Sequence, residues 1–276
     1  MRDTKETTRD ARELAYLYDL YVVPEWREAF DRMVDEEVQL PEEGKLLDAG
    51  CGTGGYAIDL AMRGGQKVEV VGVDASEEQL VLARGKAEIK KINRVTFQPG
   101  TLTALGLPDG EIDLAIGDAS MLTADRIGAA LAELARVAKK DATVVLKLTT
   151  RGSFDEFFSI YWEALYDLNL TMYSPQLEEL ITERWTVTDA ERLAAEAGLS
   201  EVRSVTQKER FDYKDAETFF DSPIIETFFL DDWMAILPDQ QTRLSVQREM
   251  AEIIDRERHG MDFDVSIKAT VIIGRK

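Results

Sequence analysis

Lys45-Leu46-Leu47-Asp48-Ala49-Gly50-Cys51-Gly52-Thr53-Gly54-Gly55 decides how the rest of this chain is read. An apolar run leads into it, a carboxylate stands two residues before the first glycine, and glycines alternate from there. A helical pattern begins near Tyr56, with Ala57, Leu60 and Ala61 on its apolar side, and Gly64-Gly65 ends it. Strand, glycine turn and helix let backbone N–H groups and a helix N-terminus come close to a ligand. Gly50, Gly52 and Gly55 satisfy G-x-G-x-x-G, the dinucleotide fingerprint, which is a weak signal on spacing alone. Asp48 separates the readings, because negative charge at the strand end opposes a pyrophosphate and favours a cationic amino group or a sulfonium. The alternative is that Asp48 caps the turn through its own backbone.

Downstream, Val68 to Val73 reads as a second buried strand ending at Asp74, and Ser76-Glu77-Glu78-Gln79 reads as a capping box. Val95 to Gln98 is a third strand, followed by Pro99-Gly100-Thr101-Leu102. Ile112 to Ile116 is a fourth, ending at Gly117-Asp118-Ala119-Ser120. After an amphipathic helix over Ile127 to Val137, Thr143 to Leu148 is a fifth. Strands alternating with helices imply a parallel sheet with right-handed crossovers. A ligand then belongs outside the carboxyl ends of the strands, where Gly50, Asp74, Thr101 and Asp118 all fall. Asp74 stands where an acidic residue accepts both ribose hydroxyls, or else it is a turn residue ahead of a helix. Asp118 either bonds an amino group or takes a proton from substrate, or it caps a turn.

Asp48-Ala49-Gly50-Cys51-Gly52-Thr53-Gly54, with Val71-Gly72-Val73-Asp74 after it, resembles the class I S-adenosylmethionine-dependent methyltransferases. The similarity runs from about Tyr18 to about Leu148. It implies a Rossmann-like α/β fold: a seven-stranded, mostly parallel sheet with an antiparallel last strand, N-terminal helices and a helical insertion before that strand. It implies S-adenosylmethionine as cofactor and S-adenosylhomocysteine as product. The positions it assigns to cofactor binding are Tyr18, Asp48, Gly50, Cys51, Gly52, Gly54, Asp74, Ala75, Thr101, Leu102, Asp118 and Ala119. Asp118, at the strand end that faces the reacting methyl in the family, is the catalytic candidate. Thr101 departs from the acidic residue common there and offers only a hydroxyl, while Leu102 supplies an apolar face for the adenine ring. No Asn-Pro-Pro-Tyr-type motif follows the fourth strand, which lowers amide-nitrogen and nucleobase acceptors.

Ala11 to Val38 is helical in pattern, interrupted by Pro24, and residues 1–40 form an N-terminal helical cap within a single domain over 1–276. Most of the aromatics there are expected to pack on the sheet, with Tyr18 and Tyr21 as lid candidates. Beyond the fifth strand, Ser153-Phe154-Asp155-Glu156 reads as a capping box ahead of an aromatic helix face. Such a face is more often core or a partner interface than a substrate wall; as a wall it offers Phe154, Phe158 and Trp162, with Tyr21, as substrate contacts. Thr188-Asp189-Ala190-Glu191 opens another helix, Val202 to Val205 is a sixth strand and Ile267 to Ile273 the last. Residues 209–262 form an acidic, helical insertion, either a cap over the acceptor pocket or a dimerisation surface.

The net charge of -20 repels nucleic-acid phosphates, so a nucleic-acid partner is disfavoured and a small-molecule methyl acceptor is favoured. A homodimer through the aromatic helices is the remaining partner expectation. A single cysteine, Cys51, rules out an intrachain disulfide and a thiolate metal cluster, and the lone His259, read as a charged helix end, builds no metal site. No apolar run reaches transmembrane length and the first residues lack a secretory pattern, so a cytoplasmic enzyme is expected. The expected activity is methyl transfer to a small, partly apolar molecule. Two alternatives stay open: an NAD(P)-dependent oxidoreductase, from the glycine spacing, and a non-catalytic S-adenosylmethionine-binding protein.

Overall fold

The computed structural model describes residues 10–257 and 261–276, so His259 lies outside the described residues. Seven strands form one sheet in the order β3-β2-β1-β4-β5-β7-β6. These are β1 (Gly44–Ala49), β2 (Val68–Asp74), β3 (Val95–Pro99), β4 (Ile112–Asp118), β5 (Ala138–Thr149), β6 (Ser200–Tyr213) and β7 (Phe263–Arg275). The first five pair in parallel, whereas β7 runs antiparallel between β5 and β6. The seven-stranded sheet with an antiparallel last strand is the arrangement expected from the sequence.

Alternation along the inner strands splits the core into two layers. Leu46, Val70, Leu114, Ile116 and Val145 face one apolar cluster. It takes in α2 (Glu28–Glu37), α3 (Gly55–Arg63) and α6 (Asp155–Asp167), with α1 (Ala11–Leu17) preceding α2 in the N-terminal segment. Leu47, Val71, Val73, Ala115, Val144 and Leu146 face the other, closed by α5 (Ile127–Val137) and α8 (Val187–Glu196). Between β2 and β3 runs α4 (Glu77–Ile89), with Ser76 accepting the amide of Gln79 at 3.3 Å as the capping pattern predicts.

Pro24 does more than interrupt the first helix. Residues Tyr18–Arg27 wind as a π-helix between α1 and α2, a widened turn that a proline without an N–H accommodates. The change of pitch brings Tyr18, Val22, Trp26 and Arg27 inward, and Val22, Trp26 and Arg27 are buried.

Several sequence expectations are corrected. The Ser153 capping box does not form: Phe154 occupies the N-cap of α6 in the left-handed region, φ 64°, and caps nothing. Ser153 instead donates to the Thr150 carbonyl and accepts the Lys268 amide, while Glu156 accepts from the amide and hydroxyl of Ser266. Both side chains are spent tying α6 to β7. The cap of α8 is Thr186, not Thr188, accepting the Asp189 amide at 3.2 Å. The last two strands are much longer than their apolar runs because they pair with each other along their whole length, from Ser200 with Arg275 to Tyr213 with Phe263. That pairing takes 209–213 out of the expected helical insertion. Helices α9 (Ala216–Phe220), α10 (Pro223–Phe228), α11 (Leu230–Met234) and α12 (Gln240–Glu257) fill the rest, and α7 (Ser174–Thr182) precedes α8.

Candidate functional site

The register of the central strands builds the site. Ala49 lies level with Val73 on one side and with Gly117 on the other, so Gly50, Asp74 and Asp118 emerge together at the carboxyl edge. The amides of Gly50 and Cys51 both donate to the Val73 carbonyl, at 2.7 and 3.1 Å, folding the turn back over β2. Gly50 has φ 72°, and a Cβ there would stand 2.9 Å from the Asp118 carbonyl oxygen, so any side chain would collide with the end of β4. Gly54 also adopts a left-handed φ, whereas Gly55 does not and has nothing near its Cβ position. The demanding glycines are therefore 50, 52 and 54. The third glycine of the dinucleotide spacing carries no steric requirement.

Asp74 accepts the Gly52 amide at 2.8 Å on one oxygen and the Ser76 amide at 3.0 Å on the other. The carboxylate is thereby fixed in direction. Each oxygen keeps a second lone pair. Ala75 next to it is exposed. Thr101 sits in a tight turn closed by reciprocal bonds with Ala104, and its hydroxyl meets that of Thr103 at 3.2 Å. Leu102 is buried, with one methyl 3.6 Å from the Gly50 Cβ position. Cys51 is buried, and burial pushes its thiol well above the ordinary range, so it stays protonated and fills space beside Gly72.

Charge gathers behind the turn. Arg27 is buried, donates to the Gly50 carbonyl at 2.7 Å and to the Tyr18 hydroxyl at 3.2 Å, and pairs with Asp118 at 3.2 Å. Its Nη2 is 3.9 Å from Asp48. Lys147, wholly buried and level with Asp118 in the register, pairs with Asp31 and lies 3.9 Å from Asp118, its ammonium 4.4 Å from the Tyr56 ring centre. Asp48 is wholly buried and neither of its oxygens has a hydrogen-bond donor. Burial pushes its carboxyl up to about 6, against the pull of Lys147 and Arg27. Asp118 goes the other way. Burial raises it, but Arg27, Lys147 and two bonds from Ser120 outweigh that and hold it below the usual carboxylate range.

That difference bears on the expectation that Asp118 is the catalytic residue. A carboxylate already paired with Arg27 and bonded by the Ser120 hydroxyl at 2.6 Å has little appetite for a proton. Arg27, Lys147 and Asp31 were missed from the sequence, although a lone lysine inside the apolar run Val144-Val145-Leu146-Lys147-Leu148 is a visible anomaly.

Ser120 joins this network to a partly open cavity. Its hydroxyl accepts the Trp26 indole N–H at 2.9 Å, and its carbonyl accepts the Thr149 hydroxyl at 3.0 Å. Ala119 and Ser120 then form one wall of a cavity of about 100 Å³ lined also by Leu148, Trp185, Phe229 and Trp233. Tyr18 lies against the glycine turn, its ring edge 2.8 Å from the Gly52 Cβ position. Tyr21 does not join it: it lines a separate surface groove with Glu25, Phe211 and Tyr213. The aromatic face of α6 is core, not cavity wall. Phe158 is buried against Phe157 and Trp233, Phe154 against Trp26, Phe229 and Trp233, and Trp162, 38% exposed, points off that buried face. Tyr21, Phe158 and Trp162, expected as substrate contacts, therefore lie outside this cavity's lining, and Phe154 stands behind it.

Comparison with known proteins bears on this geometry. Residues 46–141, from β1 through the start of β5, match the family model described as a methyltransferase domain. That stretch carries the glycine turn and the ends of β1 to β4, and it is similar to methyltransferase domains. Among curated methyltransferases, the chain is 29% identical over 147 residues to the ubiquinone/menaquinone biosynthesis C-methyltransferase UbiE of Citrifermentans bemidjiense, covering 52% of this chain and 60% of that one. It is 28% identical over 188 residues to the demethylmenaquinone methyltransferase of Staphylococcus saprophyticus, covering 64% and 78%. The chain thus spans 60% and 65% of the first two curated relatives. Among solved structures, YcgJ of Bacillus subtilis superposes with a TM-score of 0.58 at 20% identity, covering 90% of this chain and 98% of that one. The geranyl diphosphate C-methyltransferase of Streptomyces coelicolor gives 0.53 at 16%, covering 90% and 79%. At these identities the two structures bear on the methyltransferase fold alone.

The donor set suits S-adenosylmethionine, the cofactor expected from the sequence. Asp48 offers buried oxygens without donors, the glycine turn leaves backbone bare of Cβ atoms, and Asp74 is oriented by two amides. Arg27 Nη1 and Tyr18 Cε1, each 2.8 Å from the Gly52 Cβ position, take up the space in front of the turn. Among the described residues no group of side chains is placed to hold a metal ion, and no helix is long and apolar enough to cross a membrane.

Proposed function

We propose that this chain is an S-adenosylmethionine-dependent methyltransferase acting on a small, partly apolar molecule. One observation carries the reading: the glycine turn, Asp74 and the buried Asp48–Asp118 pair converge at one edge of the sheet, one residue from a cavity walled by Ala119 and Ser120. The cofactor would supply a methyl group activated on a sulfonium. Asp74 would accept the ribose hydroxyls, Leu102 would face the adenine, and the Gly50–Gly52 backbone would hold the amino-acid end. Asp48 and Asp118 set a negative potential that favours a cation at the strand ends. The residues around Ser120 then hold the acceptor and exclude water. Because the curated relatives include named C-methyltransferases, carbon acceptors are the first class to test.

Calorimetry tests the reading: S-adenosylhomocysteine is expected to bind with a dissociation constant on the order of micromolar. Absence of binding, with NADH binding in its place, would return the glycine turn to a dinucleotide role. Bound cofactor without turnover on any acceptor in a screen coupled to S-adenosylhomocysteine release would leave a non-catalytic binding protein.

A further inference from the structure

The cavity beside Ser120 contains a charged group that nothing in the proposed chemistry uses. Arg184 lies in the segment between α7 and α8, and its side chain reaches the cavity wall. Its Nη1 is shut off from solvent and has no hydrogen-bond partner. Its guanidinium carbon stands 5.7 Å from the centre of the Phe154 ring. Among the described residues no carboxylate forms an ion pair with it. A desolvated guanidinium without an acceptor is costly, and burial lowers the pKa of Arg184 accordingly. The segment is tied down beside it: the Arg184 carbonyl accepts from the Arg151 guanidinium at 3.2 Å, the Trp185 carbonyl accepts the Arg151 amide at 3.0 Å, and the Trp185 indole donates to the Ala124 carbonyl at 2.7 Å. The side chain is held in place with an unspent donor.

Resting on the methyltransferase reading, we propose that the acceptor carries a carboxylate bound by Arg184, with its apolar body against Leu180, Phe228, Phe229 and Trp233. A planar guanidinium matches a carboxylate through two parallel N–H bonds. The remaining charges on the wall choose among anions. Glu183 and Asp232 also border the cavity, so a dianion such as a phosphate monoester meets two carboxylates for one guanidinium, whereas a monoanion meets a smaller penalty. The Glu183 carboxyl is itself raised, mainly by burial and against the pull of Arg184, which softens that repulsion further. The opposite end of the acceptor then lies toward Ala119 and Ser120, the side of the cavity nearest Asp118 and the glycine turn.

Tryptophan fluorescence gives a direct readout, since Trp185 and Trp233 both line the cavity. The full chain is titrated with phenylacetate, its neutral amide phenylacetamide, and phenyl phosphate, each with and without saturating S-adenosylhomocysteine. Phenylacetate is expected to bind at least about tenfold more tightly than the amide and more tightly than phenyl phosphate. Arg184→Met should erase that preference and Arg184→Lys should keep part of it, both leaving S-adenosylhomocysteine affinity within about twofold by calorimetry. Equal binding of acid and amide, tighter binding of phenyl phosphate, no saturable change with any probe, or an unchanged preference in Arg184→Met overturns the proposal. The two readings fail separately. Loss of carboxylate preference with S-adenosylhomocysteine still bound sinks only the acceptor assignment. A chain that does not bind S-adenosylhomocysteine sinks the methyltransferase reading whatever the probes do.

Discussion

Arg27 Nε lies 3.2 Å from Asp118 Oδ2, and both side chains are almost entirely removed from water. The guanidinium belongs to the π-helical segment and the carboxylate to the end of β4, so one ion pair fastens the N-terminal cap to the centre of the sheet. The same guanidinium also bonds Gly50 and Tyr18. Arg27 therefore acts as an internal cation at the place where the proposed cofactor presents its own positive charge.

Replacing Arg27 with Met leaves Asp118 and Asp48 with Lys147 alone. Removing one partner of a buried pair costs about 3–5 kcal/mol, so thermal melting of the ligand-free variant should fall by many degrees. Added S-adenosylmethionine supplies a cation to the same carboxylates. It should raise the melting temperature of Arg27→Met by more than that of the parent at equal saturation, and an equal or smaller rise would show that Arg27 does not share the cofactor's space.

Asp48 makes stability and binding depend on pH in opposite senses. Its folded pKa, about 6, lies above the ordinary value of 3.8. The folded state then binds more protons between those values, and the Asp48 contribution to stability is full below the unfolded pKa and is lost as pH rises to about 6. A cationic ligand beside Asp48 favours the ionised form, so S-adenosylhomocysteine affinity should increase as pH rises through about 6. Calorimetry near pH 5 in buffers of different ionisation enthalpy should detect proton release; heats independent of buffer would show that Asp48 does not change state on binding.

Asp74 has a structural duty as well as a proposed ligand, and two substitutions separate them. Asp74→Ala strands the Gly52 and Ser76 amides and should cost about 1–3 kcal/mol along with cofactor affinity. Asp74→Asn keeps one acceptor, so it should melt closer to the parent yet still bind S-adenosylhomocysteine about tenfold or more weakly. Parent-like affinity in Asp74→Asn would make the residue a turn support only.

Gly50→Ala places a Cβ 2.9 Å from the Asp118 carbonyl in a left-handed backbone. The backbone conformation alone costs about 1–2 kcal/mol. Because the collision pushes the turn away from β4, cofactor binding should vanish. A Gly55→Ala control, with open space at its Cβ, should bind normally.

Along the aromatic face of α6, burial predicts the outcome. Phe158→Ala should destabilise by about 3–5 kcal/mol, whereas Trp162→Ala should change stability by less than about 0.5 kcal/mol. Sedimentation of Trp162→Ala beside the parent would also test the dimer expectation, since Trp162 and Tyr166 are the exposed large aromatics of that helix.

The parallel half of the fold was legible because each strand there is a short apolar run bounded by glycines or acids. The helix over Ile127–Val137 was legible residue for residue from its periodicity. Asp48, Gly50, Asp74 and Asp118 were legible as a group because parallel strands in register deliver their carboxyl ends to one edge. Arg27 and Lys147 were not, since pairing across 23 to 116 residues leaves no local pattern. The length of β6 and β7 was hidden for a related reason. Their outer halves, such as Gln207-Lys208-Glu209-Arg210, are polar and become strand only through each other. The capping-box pattern at Ser153 failed because tertiary partners on β7 outbid the local bond.

The position of β7 between β5 and β6 has a consequence for how the molecule is assembled. During synthesis β1 to β5 can pair as soon as they appear, so the glycine turn and the three strand ends around it are available early. Strand β6 has no sheet partner until β7 arrives: Tyr213 pairs with Phe263, 50 residues on, and Ser200 with Arg275, 75 residues on. Closing that long-range hairpin is the slow, high-contact-order step. It also completes the anchorage of α6 and of the helices that wall the cavity beside Ser120. A nascent chain would thus be able to form the nucleotide-facing edge before it has anywhere to put a substrate.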